Sequence, residues 1–549
     1  MTRFCCRILW ISLLSAGAAS CSGQPALPSG NGGGASNGGG AGDGATDPTS
    51  LFTLNCAQPE RGKPTLRLLT RSEFTRTIED IFPELSGSWS STLPNAAVSR
   101  YGFDNDASGV VGPQLAQALL DTASSVARAV TGPALATLLP CSASTPDRAC
   151  AERFIVQYGR RLFRRPVTPA ERARYLAFFD RHSAQSDFQQ AIKWITVGLI
   201  QSPSAVYRSE IGSVAGDSRT LDAHELATEL AYTYSGTTPS DALLAQADTG
   251  SIDALGTAQT LLASAPGKAT LQRFFASYLD YPRVTSVERS NIPQWGAVRG
   301  PMLAETRSFI EQVVLTHPGG LRELLTTDTT NPSQALAAYY GFPEPPFDGA
   351  TVQRPRGRGI GLLAQGSILA TRAQPNGSSP TQRGLLVYSR LLCRTKPTPP
   401  ANVPGISSPK PGRATTRQRY EAEHARNPPC SSCHQLFDPI GFGFERFDEG
   451  GRYRETDDGL AIDTSSSVPT STGAPLFSFQ DEEELARGLA DRADVYQCFA
   501  AFLATYAFGS AEACLGASRL AEFQSGDLGI ADYYATLAAE PHFSSRELR

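Results

Sequence analysis

Two cysteines and a histidine, closely and regularly spaced, are the residues of this sequence best suited to chemistry. The segment NPPCSSCHQLFDPIGFGFERFD contains Cys430, Cys433 and His434 in the order C-x-x-C-H. Three roles fit this pattern: covalent attachment of a haem, coordination of a metal ion, or a disulfide beside an unrelated histidine. The rest of the sequence has to distinguish among them.

Covalent haem attachment fits the spacing best. It requires two thiols about one helical turn apart, which add to the vinyl groups, and an adjacent histidine that binds the iron. Zinc would require two further soft ligands, but the sequence has no second C-x-x-C and no H-x3-H. A thioredoxin-like redox pair would require a βαβ setting, which the pattern does not show. The motif therefore predicts one haem c held by Cys430, Cys433 and His434. Four phenylalanines could wall that haem: Phe437, Phe442, Phe444 and Phe447.

The N-terminal residues predict export. Arg3 and Arg7 precede an apolar run, Ile8–Leu14, which is too short to span a bilayer as a mature helix. Small residues follow this run, as they do before a cleavage site. We therefore predict a signal peptide over residues 1–20.

A lipid anchor is expected directly after the signal peptide. The sequence Ala18-Ala19-Ser20-Cys21 resembles a bacterial lipobox, in which Cys21 becomes the lipidated first residue. Ordinary cleavage near Ala19 is the alternative. The Gly/Ser-rich residues up to 55 have almost nothing to bury and predict a disordered tether. Because Ser22 is not aspartate, we expect an exported protein anchored in the cell envelope, at the outer membrane on its periplasmic or surface side.

Composition favours a large globular protein. The chain has 549 residues, of which 40% are apolar and 19% charged, enough for several domains. Its formal net charge of −4 gives no reason to expect nucleic acid as a partner. The expected partners are instead a membrane, contacted through the lipid on Cys21, and an unknown redox protein that exchanges electrons with the haem.

The patterning predicts a mainly α fold made of several small helical modules, one of them a cytochrome c-like haem-motif region. Capping boxes are expected at Thr70 with Glu73, and at Thr168 with Glu171. A third helix start is expected at Thr238-Pro239, after Gly236 ends the preceding helix. The predicted modules are a first at 56–140, a second at 141–212, a central one at 213–345, the haem-motif module at 346–455, a loop at 456–478 and a C-terminal module at 479–549.

Around the motif, the sequence resembles a known family. The stretch PPCSSCHQLFDPIGFGFERFDEGGRYR resembles the haem-motif segment of the planctomycete-type cytochrome-associated proteins of unknown function, modular exported proteins also frequent in myxobacteria. Other segments resemble their modules in the same order, from LRLLTRSEFTRTIEDIF and YGRRLFRRPVTPAERARYLAFF through LDAHELATELAYTYSGTTPSDALLAQADTG to VYQCFAAFLATYAFGSAE. The resemblance implies a cytochrome-like role in electron transfer and supplies no substrate.

Export also predicts disulfides. Once Cys5 and Cys6 leave with the signal and Cys21 takes lipid, eight of the 11 cysteines remain. We expect one disulfide between Cys141 and Cys150 and another between Cys498 and Cys514. Cys56 and Cys393 are then left over, and their pairing is a residual expectation.

The sixth iron ligand separates two of the three functional interpretations, the electron carrier and the haem enzyme. His424 lies only ten residues before His434, too close for an easy approach from the opposite face, and Met302 is the only methionine after the signal peptide. Met302 is therefore a candidate iron ligand, with a plain core role as its alternative. The main interpretation is an electron carrier. The alternatives are a haem enzyme of peroxidase or oxygenase type with an open sixth position, and a non-redox envelope binding protein with a structural C-x-x-C-H.

Overall fold

The computed structural model describes residues 50–52, 61–142, 145–316, 319–342, 350–398, 413–425, 428–510 and 517–548. This described part is mainly helical, as predicted, at 57% helix and 9% strand, with 24 helices and only small sheets. The predicted signal peptide, Cys21 and most of the tether lie outside it. None of the described helices combines the length and apolar character needed to cross a lipid bilayer.

The N-terminal third forms one helical unit with its own core. Both predicted capping boxes, at Thr70 and Thr168, are confirmed. The apolar faces of these helices share a single hydrophobic cluster, and β1 pairs antiparallel with β2, so that the start and end of the unit meet. Its elements are β1 (Thr65–Leu68), α1 (Arg71–Ile81), α2 (Pro113–Val130), α3 (Leu135–Leu138), α4 (Arg148–Phe163), α5 (Pro169–Gln185), α6 (Phe188–Ile200), α7 (Pro203–Val206) and β2 (Tyr207–Glu210).

A disulfide closes a short loop in this unit. Cys141 and Cys150 are joined, with their Cα atoms 5.7 Å apart, as predicted. Asp147 caps α4 by accepting a hydrogen bond from the backbone N–H of Cys150. Closing so short a loop contributes about 2–3 kcal/mol by the chain-entropy estimate.

The central part continues with helices after a small sheet. Gly236 ends α8 in the left-handed conformation, at φ 64°. The next helix is capped by Ser240 rather than Thr238, because the serine side chain accepts from the backbone N–H of Leu243. The elements are β3 (Ser213–Ala215), β4 (Ser218–Thr220), α8 (Ala223–Ser235), α9 (Asp241–Thr249), α10 (Ala254–Ala263), α11 (Ala265–Leu279), α12 (Trp295–Ile310), α13 (Leu321–Thr326), β5 (Thr329–Thr330) and α14 (Gln334–Tyr340).

The motif-bearing and C-terminal parts share the largest core with the central helices. Strand β11 pairs with β4, which brings the end of the described chain back to the central part. The elements are β6 (Val352–Gln353), α15 (Gly366–Thr371), α16 (Pro380–Leu386), α17 (Thr416–Tyr420), α18 (Pro428–His434), α19 (Asp438–Phe442), β7 (Thr456–Asp457), β8 (Leu460–Ala461), β9 (Ser466–Pro469), β10 (Pro475–Phe479), α20 (Glu482–Ala490), α21 (Ala493–Phe508), α22 (Ala517–Ser525), α23 (Ile530–Thr536), α24 (Pro541–Ser544) and β11 (Ser545–Glu547).

Residues 456–478, which we predicted as a loop, form two short antiparallel hairpins. Strand β7 pairs with β8, and β9 pairs with β10. The first turn is Asp458-Gly459, and both residues have positive φ, at 54° and 72°. An Asp-Gly pair with two positive φ angles is the preferred two-residue hairpin turn, so this signal was present in the sequence and was missed.

The predicted Cys498–Cys514 disulfide is wrong. Cys498, on the buried face of α21, is joined instead to Cys393, with Cα atoms 5.4 Å apart and a sequence separation of 105. The π-helical turn Val387–Leu391 packs against α21 and delivers Cys393 to this position. The residual pairing of Cys56 with Cys393 is also wrong, because Cys393 is bonded to Cys498. Cys56 and Cys514 lie outside the described residues.

A buried carboxyl group in this core gives a pH-dependent stability. Glu482 is 3% exposed and accepts a hydrogen bond from the backbone N–H of Ile360. Burial raises its pKa to about 8. An acid whose folded pKa lies above its unfolded value, about 4.3, holds its proton more tightly when folded, so stability falls as pH rises between those two values.

We therefore expect wild-type protein to lose stability relative to Glu482→Gln as pH rises from about 5 to about 8, by up to about 4 kcal/mol. Glutamine has a similar shape and does not ionise, so the difference isolates the titration of Glu482. Urea unfolding of both proteins across this pH range provides the measurement. Parallel stability curves for the two proteins would contradict a raised pKa.

Candidate haem-attachment site

Close backbone packing of two helices builds the floor of the site. A Cβ added at Gly384, in α16, would lie 1.8 Å from the backbone oxygen of Phe437. A Cβ added at Gly441, in α19, would lie 1.9 Å from the backbone oxygen of Pro380. Only glycine allows the two helices to approach this closely. The contact sets the position of α19, whose first residue is Asp438.

A buried arginine fixes the segment that follows α19. The Arg383 guanidinium is 2% exposed and donates to the backbone oxygens of Phe444, Phe447 and Asp448. Burial lowers the pKa of Arg383 to about 10, so the group still carries its charge at neutral pH. Arg383 and Gly384, which are neighbours in α16, thus fix the position of α19 and of the chain that follows it.

Asp438 is the centre of the site's hydrogen bonds. It is 4% exposed, and its Oδ1 accepts from the Thr381 hydroxyl at 2.6 Å. Its Oδ2 lies 2.8 Å from His424 Nδ1 and 2.9 Å from His434 Nδ1. His424 comes from the π-helical turn Glu421–Ala425, and His434 is the last residue of α18. Two imidazoles from different elements therefore share one carboxylate oxygen.

The charge state of Asp438 fixes how His434 presents its ring. Burial raises the pKa of Asp438, but the hydrogen bonds from His424, His434 and Thr381 outweigh burial and bring that pKa below its ordinary value. An ionised carboxylate can only accept, so Nδ1 of both histidines carries the hydrogen. In neutral His434 this leaves the Nε2 lone pair for a metal, an arrangement in which metal-ligating histidines are commonly held.

Both motif cysteines carry free thiols. Cys430 and Cys433 are partly exposed, whereas Cys141, Cys150, Cys393 and Cys498 are disulfide-bonded. A short disulfide within the motif was one of the three roles considered, and the structure does not form it. Two accessible thiols beside a histidine with a fixed Nδ1 fit the donor set that covalent haem requires.

The phenylalanines after the motif serve the core more than the site. All four are buried, and Phe437, Phe444 and Phe447 belong to the largest hydrophobic cluster. Only Phe437 has a ring contact with His434, at 5.1 Å between centroids. Phe442 packs under the guanidinium of Arg417 at 4.9 Å. The expected aromatic wall is therefore reduced to one ring at His434.

Neither candidate sixth ligand lies opposite His434. Met302 is fully buried in a separate apolar cluster with Ile292, Trp295 and Leu336. The His424 ring lies beside the His434 ring, with centroids 3.7 Å apart. Both rings are bonded to one carboxylate oxygen, so His424 lies on the same side of the site as His434. As placed here, Met302 is a core residue.

The sequence interpretation missed Asp438 and the role of His424. Together with His434 they form a compact group of potential metal ligands whose atoms lie within 4.8 Å of one another. One signal was available, because Asp438 follows His434 at i+4, the spacing that brings side chains together on a helix. No comparable signal existed for His424, since its approach depends on how the π-helical turn Glu421–Ala425 packs against α18.

Comparison with known families agrees with the resemblance around the motif. Four family models match the chain: PSD3, protein of unknown function (DUF1587), over residues 67–132; PSD5, protein of unknown function (DUF1595), over 150–210; PSD4, protein of unknown function (DUF1592), over 221–342; and PSCyt3, protein of unknown function (DUF1588), over 358–457. The last contains Cys430, Cys433, His434 and Asp438.

The chain therefore belongs to the planctomycete-type cytochrome-associated multidomain proteins of unknown function. The resemblance of the C-terminal segment to a further module of that family stays a prediction. Searches of the curated proteins and of the solved structures found no match.

Proposed function

We propose that the protein is an exported lipoprotein that carries one covalent haem c and exchanges electrons with a redox partner. The observation that carries this proposal is the pair of free, partly exposed thiols beside His434, whose Nδ1 is held by the buried Asp438. Membership of a cytochrome-associated family supports it.

Each residue of the site has a defined task in this proposal. Cys430 and Cys433 would form the thioethers, and His434 Nε2 would bind the iron. Asp438 would hold the imidazole in one tautomer and orientation, and Thr381 would hold Asp438. The haem, once bound, would supply a one-electron couple. Both thiols are partly exposed, so the residues that would hold the haem can be reached by a partner.

Export and anchoring are part of the same proposal. Covalent haem is attached outside the cytoplasm, so the signal peptide and the C-x-x-C-H are expected to occur together. Cys21 would hold the protein to a membrane, and Cys21→Ala should release it into the soluble fraction. Wild-type protein that is soluble without detergent would contradict the anchor.

Visible spectroscopy tests the carrier function. The protein would be expressed with its signal peptide in a host that matures exported c-type cytochromes, and then titrated with a reductant and an oxidant. We expect the sharp bands of reduced c-type haem and a reversible one-electron transition. A correctly exported protein without these bands would contradict the proposal and favour the non-redox binding protein.

A haem enzyme with an open sixth position is the second candidate. It is favoured by the placement of Met302 in a separate core cluster and of His424 beside His434 rather than opposite it. Adding carbon monoxide to the reduced protein and cyanide to the oxidised protein separates the two candidates. Ready binding of both would favour the enzyme, and a low-spin iron that resists both would favour the carrier.

Asp438→Asn should raise the midpoint potential of the haem. The ionised carboxylate makes His434 a more electron-rich ligand, which stabilises the oxidised iron, and asparagine carries no charge. The comparison requires a potentiometric titration of both proteins. Asp180→Asn, at an exposed carboxylate paired with Arg148, is the matched control and should leave the potential unchanged. Equal potentials in wild type and Asp438→Asn would show that Asp438 does not act on the ligand.

A further inference from the structure

Two arginines without carboxylate partners face one internal cavity. Arg76 of α1 and Arg273 of α11 line a cavity of about 130 Å³. Neither forms an ion pair with any carboxylate in the part of the chain that the structure describes. Their hydrogen bonds go from Arg76 Nε to the backbone oxygen of Ser72 and from Arg273 Nη2 to the Thr270 hydroxyl. Arg76 Nη1 is buried and has no hydrogen-bond partner.

The nearby buried arginines show how this protein otherwise treats such charges. Arg67, Arg208 and Arg546 all lie within ion-pairing distance of Glu210, and the first two also of Glu229. Buried charges are normally paired in this way because an unpaired one is costly. Arg76 and Arg273 are half-buried and have no such partner among the described residues.

The two guanidiniums crowd against the same point of the backbone. A Cβ added at Gly236 would lie 2.6 Å from Arg273 Nη2, and 2.8 and 2.9 Å from Arg76 Nη2 and Nη1. Gly236 ends α8, and the carbonyl end of a helix offers about half a negative charge. That is less than the two positive charges gathered there. Burial, followed by the charge of Arg273, lowers the pKa of Arg76 to about 10.

The rest of the cavity wall carries hydroxyls and two carboxylates. The hydroxyls of Thr233, Thr270 and Tyr506 line it, but each already donates to an oxygen of the protein. Its two carboxylates lie beyond ion-pairing distance of both guanidiniums: Glu73 is engaged in the capping box of α1, and burial raises the pKa of Asp104 although the charges of Arg273 and Arg76 act against this. The volume equals that of only a few water molecules.

We propose that this cavity binds a small oxyanion of the phosphate or sulfate type between Arg76 and Arg273. The anion would accept from both guanidiniums, and would replace a repulsion by two charge-assisted contacts. Arg76 and Arg273 come from the N-terminal unit and the central part, so the bound anion would tie two parts of the chain together.

Calorimetry and thermal unfolding of the full protein with inorganic phosphate test this proposal. Phosphate should bind and raise the unfolding temperature, sulfate should replace it, and chloride at equal ionic strength should do neither. Arg76→Gln and Arg273→Gln should each weaken phosphate binding about tenfold or more. Arg148→Gln, at an exposed arginine paired with Asp180, is the control and should keep the wild-type response.

The double variant Arg76→Gln, Arg273→Gln should not lower the unfolding temperature when neither phosphate nor sulfate is present. In chloride alone it should unfold at the same temperature as the wild type or higher, since the repulsion is gone. Absence of phosphate and sulfate binding to the wild type would overturn the proposal whatever the variants do. So would an undiminished phosphate response in the double variant.

Discussion

Replacing Gly384 with alanine should lower the free energy of unfolding by about 3 kcal/mol or more, at or above the upper end of ordinary overpacking costs. The added Cβ would lie 1.8 Å from the backbone oxygen of Phe437, so α16 and α19 would have to move apart. A flexible side chain could turn away from such a clash, but a backbone carbonyl cannot. Chemical denaturation provides the free energy.

A second glycine serves as the matched control. Gly296 also lies in a helix, α12, but a Cβ added there would meet nothing within 4 Å. Gly296→Ala should therefore be neutral, or stabilising by about 0.5–1 kcal/mol through the helix propensity of alanine. If both substitutions have the same effect, the close approach of α16 and α19 is not as described.

The Gly384 substitution should also disturb the site. Helix α16 carries Thr381, and α19 begins with Asp438, so their separation would lengthen the 2.6 Å hydrogen bond between these residues. His434 would then lose part of its support. Protein that remains folded is expected to incorporate haem less completely.

Substituting Cys430 and Cys433 together with alanine should abolish covalent haem. Both thiols are free, and no other cysteine has a suitable spacing to a histidine. The measurement is haem staining of the exported protein on a denaturing gel. Stain that persists in the double variant would show that the haem is held elsewhere.

The matched control removes a different cysteine pair. Cys141→Ala with Cys150→Ala breaks a disulfide in the N-terminal unit and should cost about 2–3 kcal/mol. It leaves the motif untouched and should therefore keep full haem stain. Loss of stain in this control as well would point to general misfolding rather than to attachment at the motif.

Local features of the fold could be predicted from sequence. The capping boxes at Thr70 and Thr168 use residues three apart, and the left-handed end of α8 needs only Gly236. Cys141 and Cys150 are only nine positions apart in sequence, so the short loop between them keeps the two thiols close. In each case the physical cause lies within a few residues of the feature.

Features set by packing could not be predicted in this way. Cys498 finds Cys393 across 105 residues because the turn Val387–Leu391 packs on α21, and proximity in sequence pointed to Cys514 instead. The shared carboxylate of Asp438 likewise requires the π-helical turn Glu421–Ala425, α18 and α19 to meet. The C-x-x-C-H predicted the chemistry that we propose, but the support of His434 depended on the tertiary structure.

The intact mass of the exported wild-type protein under denaturing conditions tests the central claim most directly. The protein would be produced in a host that attaches haem to a known exported cytochrome in the same culture. We predict a mass higher than that of the processed chain by one haem, with peptide mapping placing the addition on Cys430 and Cys433. An unmodified motif peptide, found while the companion cytochrome is fully matured, would contradict a covalent haem in this protein.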